Sequence, residues 1–363
     1  MLSRFSQQDV RAGTNLDINI QPPGFEQIRC EQPLRIIQGK RIVCRGSMGV
    51  KTVLVKIFFN DRKAKKSWQN SLSGAKAFLD KGLPAPEIIY SGPLEDKGKF
   101  IIVFNFISNA KRLDTALEQT DDQQKKIDLK HRFMDCLAAH HTQGVVQNDQ
   151  HLGNFLVAES KIYAVDGDQI QTFPRPVPLN YALKNLAAFF RCFPPQEDQE
   201  MDYYLSHYLR ARNLAFRQKF LDKMQKHIDL QRKKRLKEYL RKIYRNRDPF
   251  VAQKSSQRFC IYDQRRWHQD FIPVKDNPEA FFPESDSMAQ GEVVLSSQKR
   301  RVILKREKFR FRLHFWKKSN LEDLWEQRLI DNRLGQKTAR PILLVKIKTG
   351  MLYKNIYLLI EKQ

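Results

Sequence analysis

A chain of 363 residues with 41% hydrophobic content is long enough for two or three domains and excludes wholesale disorder. Its 65 Lys and Arg against 40 Asp and Glu leave a net charge of +25, which favours an anionic partner: nucleic acid, an acidic membrane face or a phosphorylated glycolipid. No apolar run reaches the roughly 18 residues of a membrane span, and Cys30, Cys44, Cys136, Cys192 and Cys260 lack metal-binding spacing, as expected of reduced thiols in a cytosolic protein.

Residues 1–32 are polar, carry Pro22-Pro23-Gly24 and no apolar signal core, and are expected to form a loose arm with at most one short strand. Leu34–Ile37 and Arg41–Cys44 flank Gln38-Gly39-Lys40 as a hairpin, and Gly46–Gly49 reads as a turn. Val53–Phe59 follows as a strand with Lys56 in its interior. A lysine there is costly without a partner, unless it snorkels at an edge. Residues 61–81 are predicted helical, with Trp68, Leu72, Ala75 and Leu79 as the inward stripe, closed by Gly82-Leu83-Pro84-Ala85-Pro86. No acid stands between Arg62 and Phe78. Phe100–Ile107 reads as a buried strand.

Thr120 with Gln123 signals a capping box opening a helix that carries Leu129, Phe133 and Leu137 and closes at Gly144. Near its end, His140 and His141 read as core or helix-end residues rather than ligands. Next comes Val146-Gln147-Asn148-Asp149-Gln150-His151-Leu152-Gly153-Asn154-Phe155, then the strand-like Ile162–Val165 and Asp166-Gly167-Asp168. These polar residues could be ordinary turn formers, but their apolar flanks and their order suit phosphoryl transfer. That chemistry needs one carboxylate facing a nucleophile and hard oxygens for a divalent cation.

The Asp149-x-His151-x-x-Asn154 loop resembles that of small-molecule kinases, and its wording is similar to the bacterial lipopolysaccharide core sugar kinases that act on heptose or Kdo. The resemblance covers roughly residues 34–210. It implies ATP and Mg²⁺ as cofactors. It makes Asp149 the catalytic residue that orients the acceptor hydroxyl, and Asn154 and Asp166 the magnesium ligands on ATP. Asp168 would support a second metal or the loop, Lys56 the phosphates, Gly39 the phosphate loop, and His151 would brace the loop around Asp149. The helix glutamate that usually pairs with the strand lysine is missing, with Ser71 or Gly74 near its place.

Pro174, Pro176 and Pro178 cut the following segment short, which argues against a bacterial protein kinase. Leu179–Phe193 is predicted helical, with Leu183, Leu186, Ala187 and Phe190 inward. Residues 217–247 hold thirteen basic residues against Asp222, Asp229 and Glu238. They form a basic amphipathic helix, expected to break near 229–233, that suits anionic lipid or packs on its neighbour. Nucleic acid would need aromatic platforms beyond Tyr239 and Tyr244. Beyond residue 250 the chain repeats itself. Val302–Lys305 echoes Val53–Lys56, Trp325 and Pro341 repeat the spacing of Trp68 and Pro84, and Ile356–Ile360 echoes Ile101–Phe104, with an irregular insertion at 273–291.

The expected fold is therefore α+β and protein-kinase-like with two lobes. An arm (1–32) precedes a catalytic domain (33–210), a basic helical connector (211–250) and a partial second small lobe (251–363). The expected activity is phosphorylation of a sugar hydroxyl of lipopolysaccharide inner core, by a cytoplasmic protein, peripheral at the inner face of the cytoplasmic membrane. The expected partners are ATP and an anionic glycolipid or sugar acceptor. The alternatives are a pseudokinase that binds a partner and a protein kinase.

Overall fold

Alternating burial along residues 41–48 and 51–58 gives antiparallel strands there rather than helices. The computed structural model describes residues 15–59, 63–94, 98–193, 195–246, 249–283, 290–297, 300–308, 318–334, 336, 338–349 and 352–361. The chain divides into two compact units, Met1–Asp229 and Leu230–Gln363.

The first unit opens with β1 (Ile18–Ile20), β2 (Ile28–Ile37), β3 (Arg41–Met48), β4 (Lys51–Phe58), helix α1 (Ala64–Leu79), β5 (Ile88–Pro93) and β6 (Phe100–Asn105). The six strands form one sheet in the order β1-β2-β3-β4-β6-β5. The expected arm is thus partly sheet. Ile20, Ile28 and Cys30 are buried, and that apolar alternation draws residues 18–20 and 28–32 into the ladder. Gly39, with φ +68°, turns the β2–β3 hairpin where expected, whereas the next turn moves to Gly49, at φ +54°.

Along β4, Val53, Val55 and Ile57 enter one hydrophobic cluster, while Leu54 and Phe58 join Ile102, Phe104 and α1 on the opposite face. Lys56 shares the parity of Leu54 and Phe58, so the pleat turns it toward that second face. On α1 the buried face is Ala64, Ser71, Gly74, Ala75 and Phe78. The expected stripe through Trp68 and Leu72 is only half-buried. Trp68 instead stacks on Phe100, with ring centroids 4.9 Å apart, and donates to the Ser91 hydroxyl at 2.8 Å.

The rest of this unit is mostly helical: β7 (Lys111–Arg112), α2 (Leu113–Gln119), α3 (Gln123–Thr142), β8 (Val145–Gln147), β9 (Phe155–Ala158), β10 (Lys161–Ala164), β11 (Ile170–Thr172), α4 (Leu179–Phe190) and α5 (Met201–Ala211). The cap of α3 is Asp122, whose carboxylate accepts from the Gln124 and Lys125 amides. Thr120 is spent closing α2, donating to the Ala116 carbonyl at 2.7 Å, so the expected Thr120–Gln123 box does not form. Leu129, Phe133 and Leu137 of α3 meet Leu183, Leu186, Ala187 and Phe190 of α4 in one large core. Each such buried side chain contributes roughly 1.5–3 kcal/mol.

Helix α6 (Gln218–Lys242) runs unbroken through the expected break, for it contains neither Gly nor Pro. The division between the units falls within it. Its first stripe, Met224 and Ile228, belongs to the core of the first unit; Tyr239, Leu240 and Ile243 belong to that of the second.

The second unit contains β12 (Phe250–Lys254), β13 (Arg258–Asp263), α7 (Ile272–Asp276), β14 (Gln290–Ser297), β15 (Arg300–Lys308), α8 (Asn320–Arg333), β16 (Pro341–Thr349) and β17 (Leu352–Glu361), with sheet order β12-β13-β16-β17-β15-β14. The series β14-β15-β17-β16 with α8 between β15 and β16 repeats β3-β4-β6-β5 with α1. The extra strands sit on opposite edges: beside β3 in the first unit, beside β16 in the second. Within the expected insertion 273–291, Val274 and Phe282 are buried and order the segment into α7 and a 3-10 turn at Pro278–Phe281; residues 284–289 lie outside the described residues. Among the described residues, no helix is long and apolar enough to cross a membrane.

Candidate active site

Strand β4 supplies Lys56, the β8–β9 loop supplies Asp149 and Asn154, and the segment after β10 supplies Asp166 and Asp168. Lys56 Nζ lies 3.7 Å from Asp166 Oδ1 and donates to the Val165 carbonyl at 3.4 Å. It also faces the Phe104 ring at 5.6 Å. Burial holds its pKa below the ordinary lysine value, opposed by the charges of Asp166 and Asp168, while Arg41 and Arg35 reinforce the lowering. A buried ammonium so placed needs its carboxylate, and Asp166 provides it.

Asn154 fastens the loop. Its Nδ2 donates to the Asp149 carbonyl at 3.0 Å and to Asp149 Oδ2 at 3.1 Å, leaving its own Oδ1 uncommitted by those bonds. The Val165 amide donates to the Asn154 carbonyl at 3.0 Å, tying this loop to the Asp166 segment. His151 contributes through its backbone, its amide donating to the Asp149 carbonyl and its carbonyl accepting from Asn154. The His151 side chain is exposed, and the side-chain bond to Asp149 comes from Asn154. Beside it, the Arg112 guanidinium lies against Gly153 and grips Asp114 at 2.5 and 3.1 Å.

Two arginines that the sequence reading passed over complete the charge balance. Arg41, next to the hairpin turn, donates to Asp168 Oδ2 at 2.5 Å, and Arg35 lies 3.9 Å from Asp166 Oδ2. Burial raises the Asp168 pKa, but Arg41 and Lys56 outweigh it and leave the carboxyl below its usual range. Asp168 therefore ties the Asp166-Gly167-Asp168 segment to β3. Gly39 sits at the tip of the same hairpin with open space around its Cα.

Ser71 and Gly74 mark where a helix acid was expected, and at Gly74 an acid is excluded sterically. A Cβ at Gly74 would come within 1.9 Å of the Gly167 carbonyl oxygen. The helix lies directly on the aspartate segment, leaving no room at that position for a glutamate side chain.

A buried polar chain supports the segment from behind. Gln147 Nε2 donates to the Asp166 carbonyl at 3.1 Å, and Asn185 Nδ2 donates to the Gln147 carbonyl at 2.9 Å. Asn185 Oδ1 accepts from His141 Nε2 at 3.1 Å; His141 Nδ1 then accepts from the Tyr208 hydroxyl at 2.6 Å, which accepts from Arg212 at 2.9 Å. These bonds fix the Nε2–H tautomer. Burial lowers the His141 pKa to about 3 and that of His140 to about 4, so both are neutral structural groups.

For a magnesium ion the natural donors are Asn154 Oδ1 and Asp166 Oδ2. Among the described residues no cluster of three or more His, Cys, Asp or Glu has metal-binding geometry. An amide oxygen and a carboxylate fit a hard cation whose other ligands are phosphate oxygens and water. Asp168, held by Arg41, is not free in the same way.

No protein-family model matches the chain, and no curated protein matches it. Among solved structures it is similar to the crystal structure of the BubR1 kinase domain, with 11% identity and a TM-score of 0.41, over 62% of this chain and 86% of that one. At that distance the likeness carries no functional conclusion.

Proposed function

We propose that the first unit transfers a phosphoryl group from ATP to a sugar hydroxyl, within a protein-kinase-like arrangement. The observation that carries this reading is the pairing of buried Lys56 with Asp166, beside a loop in which Asn154 orients Asp149. Such chemistry rests on positioning and charge stabilisation. Asp149 orients the acceptor hydroxyl and takes its proton as the bond to phosphorus forms. Lys56 steadies the phosphate oxygens. Asn154 and Asp166 would hold magnesium, which when bound neutralises charge on the phosphates. Asp168, Arg41 and Gln147 keep the Asp166 segment in place.

The lipopolysaccharide inner core is the acceptor we favour, on the wording of the Asp149–Asn154 loop and the net charge of +25. The site would then work at the inner face of the cytoplasmic membrane, with α6 and its exposed Lys233 and Lys234 drawn to anionic head groups. The test is magnesium-dependent ATP turnover with and without deacylated core oligosaccharide. Stimulation by the oligosaccharide supports the reading, and equal turnover without it removes the sugar acceptor. A pseudokinase is the second reading, favoured by the salt bridge of Arg41 to Asp168 and the approach of Arg35 to Asp166. It predicts nucleotide binding without turnover.

A further inference from the structure

The second unit repeats the sheet-and-helix pattern of the first but treats one end of it differently. In the first unit the connection from α1 to β5 is covered: the Pro84 carbonyl accepts from the Ala164 amide at 3.0 Å, and Leu83 enters the large core. In the second unit the corresponding connection, from α8 to β16, borders a cavity of about 650 Å³. Arg265, Arg266, Arg333 and Arg340 line it, with Asp263 as a carboxylate in the lining and Tyr239 as an aromatic wall.

Each guanidinium is held in place. Arg265 pairs with buried Asp263 at 3.3 Å, and Arg266 makes two 3.0 Å contacts with Glu361. Arg340 Nε donates to Asn332 Oδ1 at 3.1 Å, and Arg333 lies over the Tyr239 ring at 4.6 Å. Arg333 and Arg340 have no carboxylate partner among the described residues. Four guanidinium groups against two carboxylates leave an excess of two positive charges around one cavity. Planar donors in this number suit phosphate oxygens, which guanidinium groups bind in pairs. The space also exceeds what a single phosphate would fill.

We infer that this cavity is a binding site for a molecule or head group bearing two phosphate groups. It is independent of the phosphoryl-transfer site proposed for the first unit.

The test uses the full chain at about physiological ionic strength, where weak surface attraction is screened. Inorganic pyrophosphate is titrated calorimetrically, and vesicles of phosphatidylcholine doped with a phosphatidylinositol bisphosphate are floated in parallel. The double variant Arg333→Gln/Arg340→Gln should lose at least about tenfold in affinity, as expected when charge-assisted hydrogen bonds are removed. Lys65→Gln/Lys66→Gln, which removes the same charge from two exposed positions of α1, should stay within about twofold. Arg333→Lys/Arg340→Lys keeps charge without the fork and should fall between parent and glutamine variant; it replaces the latter if that fails to fold. Arginine-dependent binding of pyrophosphate identifies a soluble ligand, and arginine-dependent binding of vesicles alone identifies a lipid head group; either supports the site. Absence of saturable binding to both probes overturns it, as does an equal loss in Lys65→Gln/Lys66→Gln and in the arginine pair.

Discussion

Gly74 of α1 and Gly167 of the aspartate segment pack backbone against backbone, so that a Cβ on Gly74 would sit 1.9 Å from the Gly167 carbonyl oxygen. The reverse also holds, since a Cβ on Gly167 would come within 2.6 Å of the Ala75 amide nitrogen. Replacing Gly74 by Ala should gain about 1 kcal/mol of helix propensity. Overpacking against rigid backbone costs about 1–3 kcal/mol or more. The clash should win, and the displaced Asp166 should weaken nucleotide binding. Urea unfolding and ATP titration of Gly74→Ala check this; a variant more stable than the parent with unchanged ATP affinity would refute the contact.

Lys56 and Asp166 should depend on each other. Removing one partner of a buried pair leaves an uncompensated charge and typically costs about 3–5 kcal/mol. Asp166→Ala should therefore lower stability and abolish the magnesium-dependent part of the thermal stabilisation by ATP. Lys56→Met/Asp166→Ala should recover part of the lost stability but none of the ATP effect. If Asp166→Ala keeps the full magnesium-dependent shift, Asp166 does not hold the metal.

Stability should fall with acidity in two windows. His140 and His141 have pKa values lowered by burial to about 4 and about 3 from 6.5, so below pH 6.5 the unfolded chain binds protons that the folded chain refuses. Unfolding is thus favoured as pH falls from 6.5 toward 4, by up to roughly 1.4 kcal/mol per pH unit for each histidine. Asp168 acts lower. Its depressed pKa gives stability that is present above 3.8 and is lost as pH falls through its folded value. Urea melts across pH 7 to 4 should show the first slope, and His140→Gln should reduce it. A profile flat from pH 6.5 to 4.5 would contradict the burial of these histidines in the folded chain.

Much of this arrangement was legible in the sequence because it follows local rules. The Gln38-Gly39-Lys40 hairpin and the Leu129–Phe133–Leu137 stripe are set by turn chemistry and period. The repeat was legible too, and its strand order recurs in the second unit. Lys305, which echoes Lys56, nonetheless has a different partner, donating to Glu292 on the neighbouring strand at 2.9 Å. Arg41 was not legible, because its partner Asp168 lies 127 residues away and nothing local marks a surface-type residue for burial. The cap at Asp122 was missed because Thr120 offered an equally good local signal. The absent helix acid could be noticed in the sequence, but the contact between Gly74 and Gly167, which excludes an acid at Gly74, is a tertiary fact.

Reversing the charge of Lys233 and Lys234 on α6 should weaken flotation with anionic vesicles at low salt. Each basic group near such a surface contributes about 1 kcal/mol at most, within a Debye length of roughly 8 Å. Turnover on a soluble acceptor should change little. Equal flotation of variant and parent would leave α6 without a membrane role.

The central claim is that Asp149 acts in the chemical step and not in folding or nucleotide binding. Asp149→Asn keeps the size of the side chain that Asn154 grips, so a pair of measurements decides it: magnesium-dependent ATP turnover with deacylated core oligosaccharide, and ATP affinity by calorimetry. Loss of a positioned general base typically lowers the rate about 100- to 10,000-fold. The account predicts a loss of that size with ATP affinity near that of the parent. Retention of more than about half of the parent turnover would contradict it.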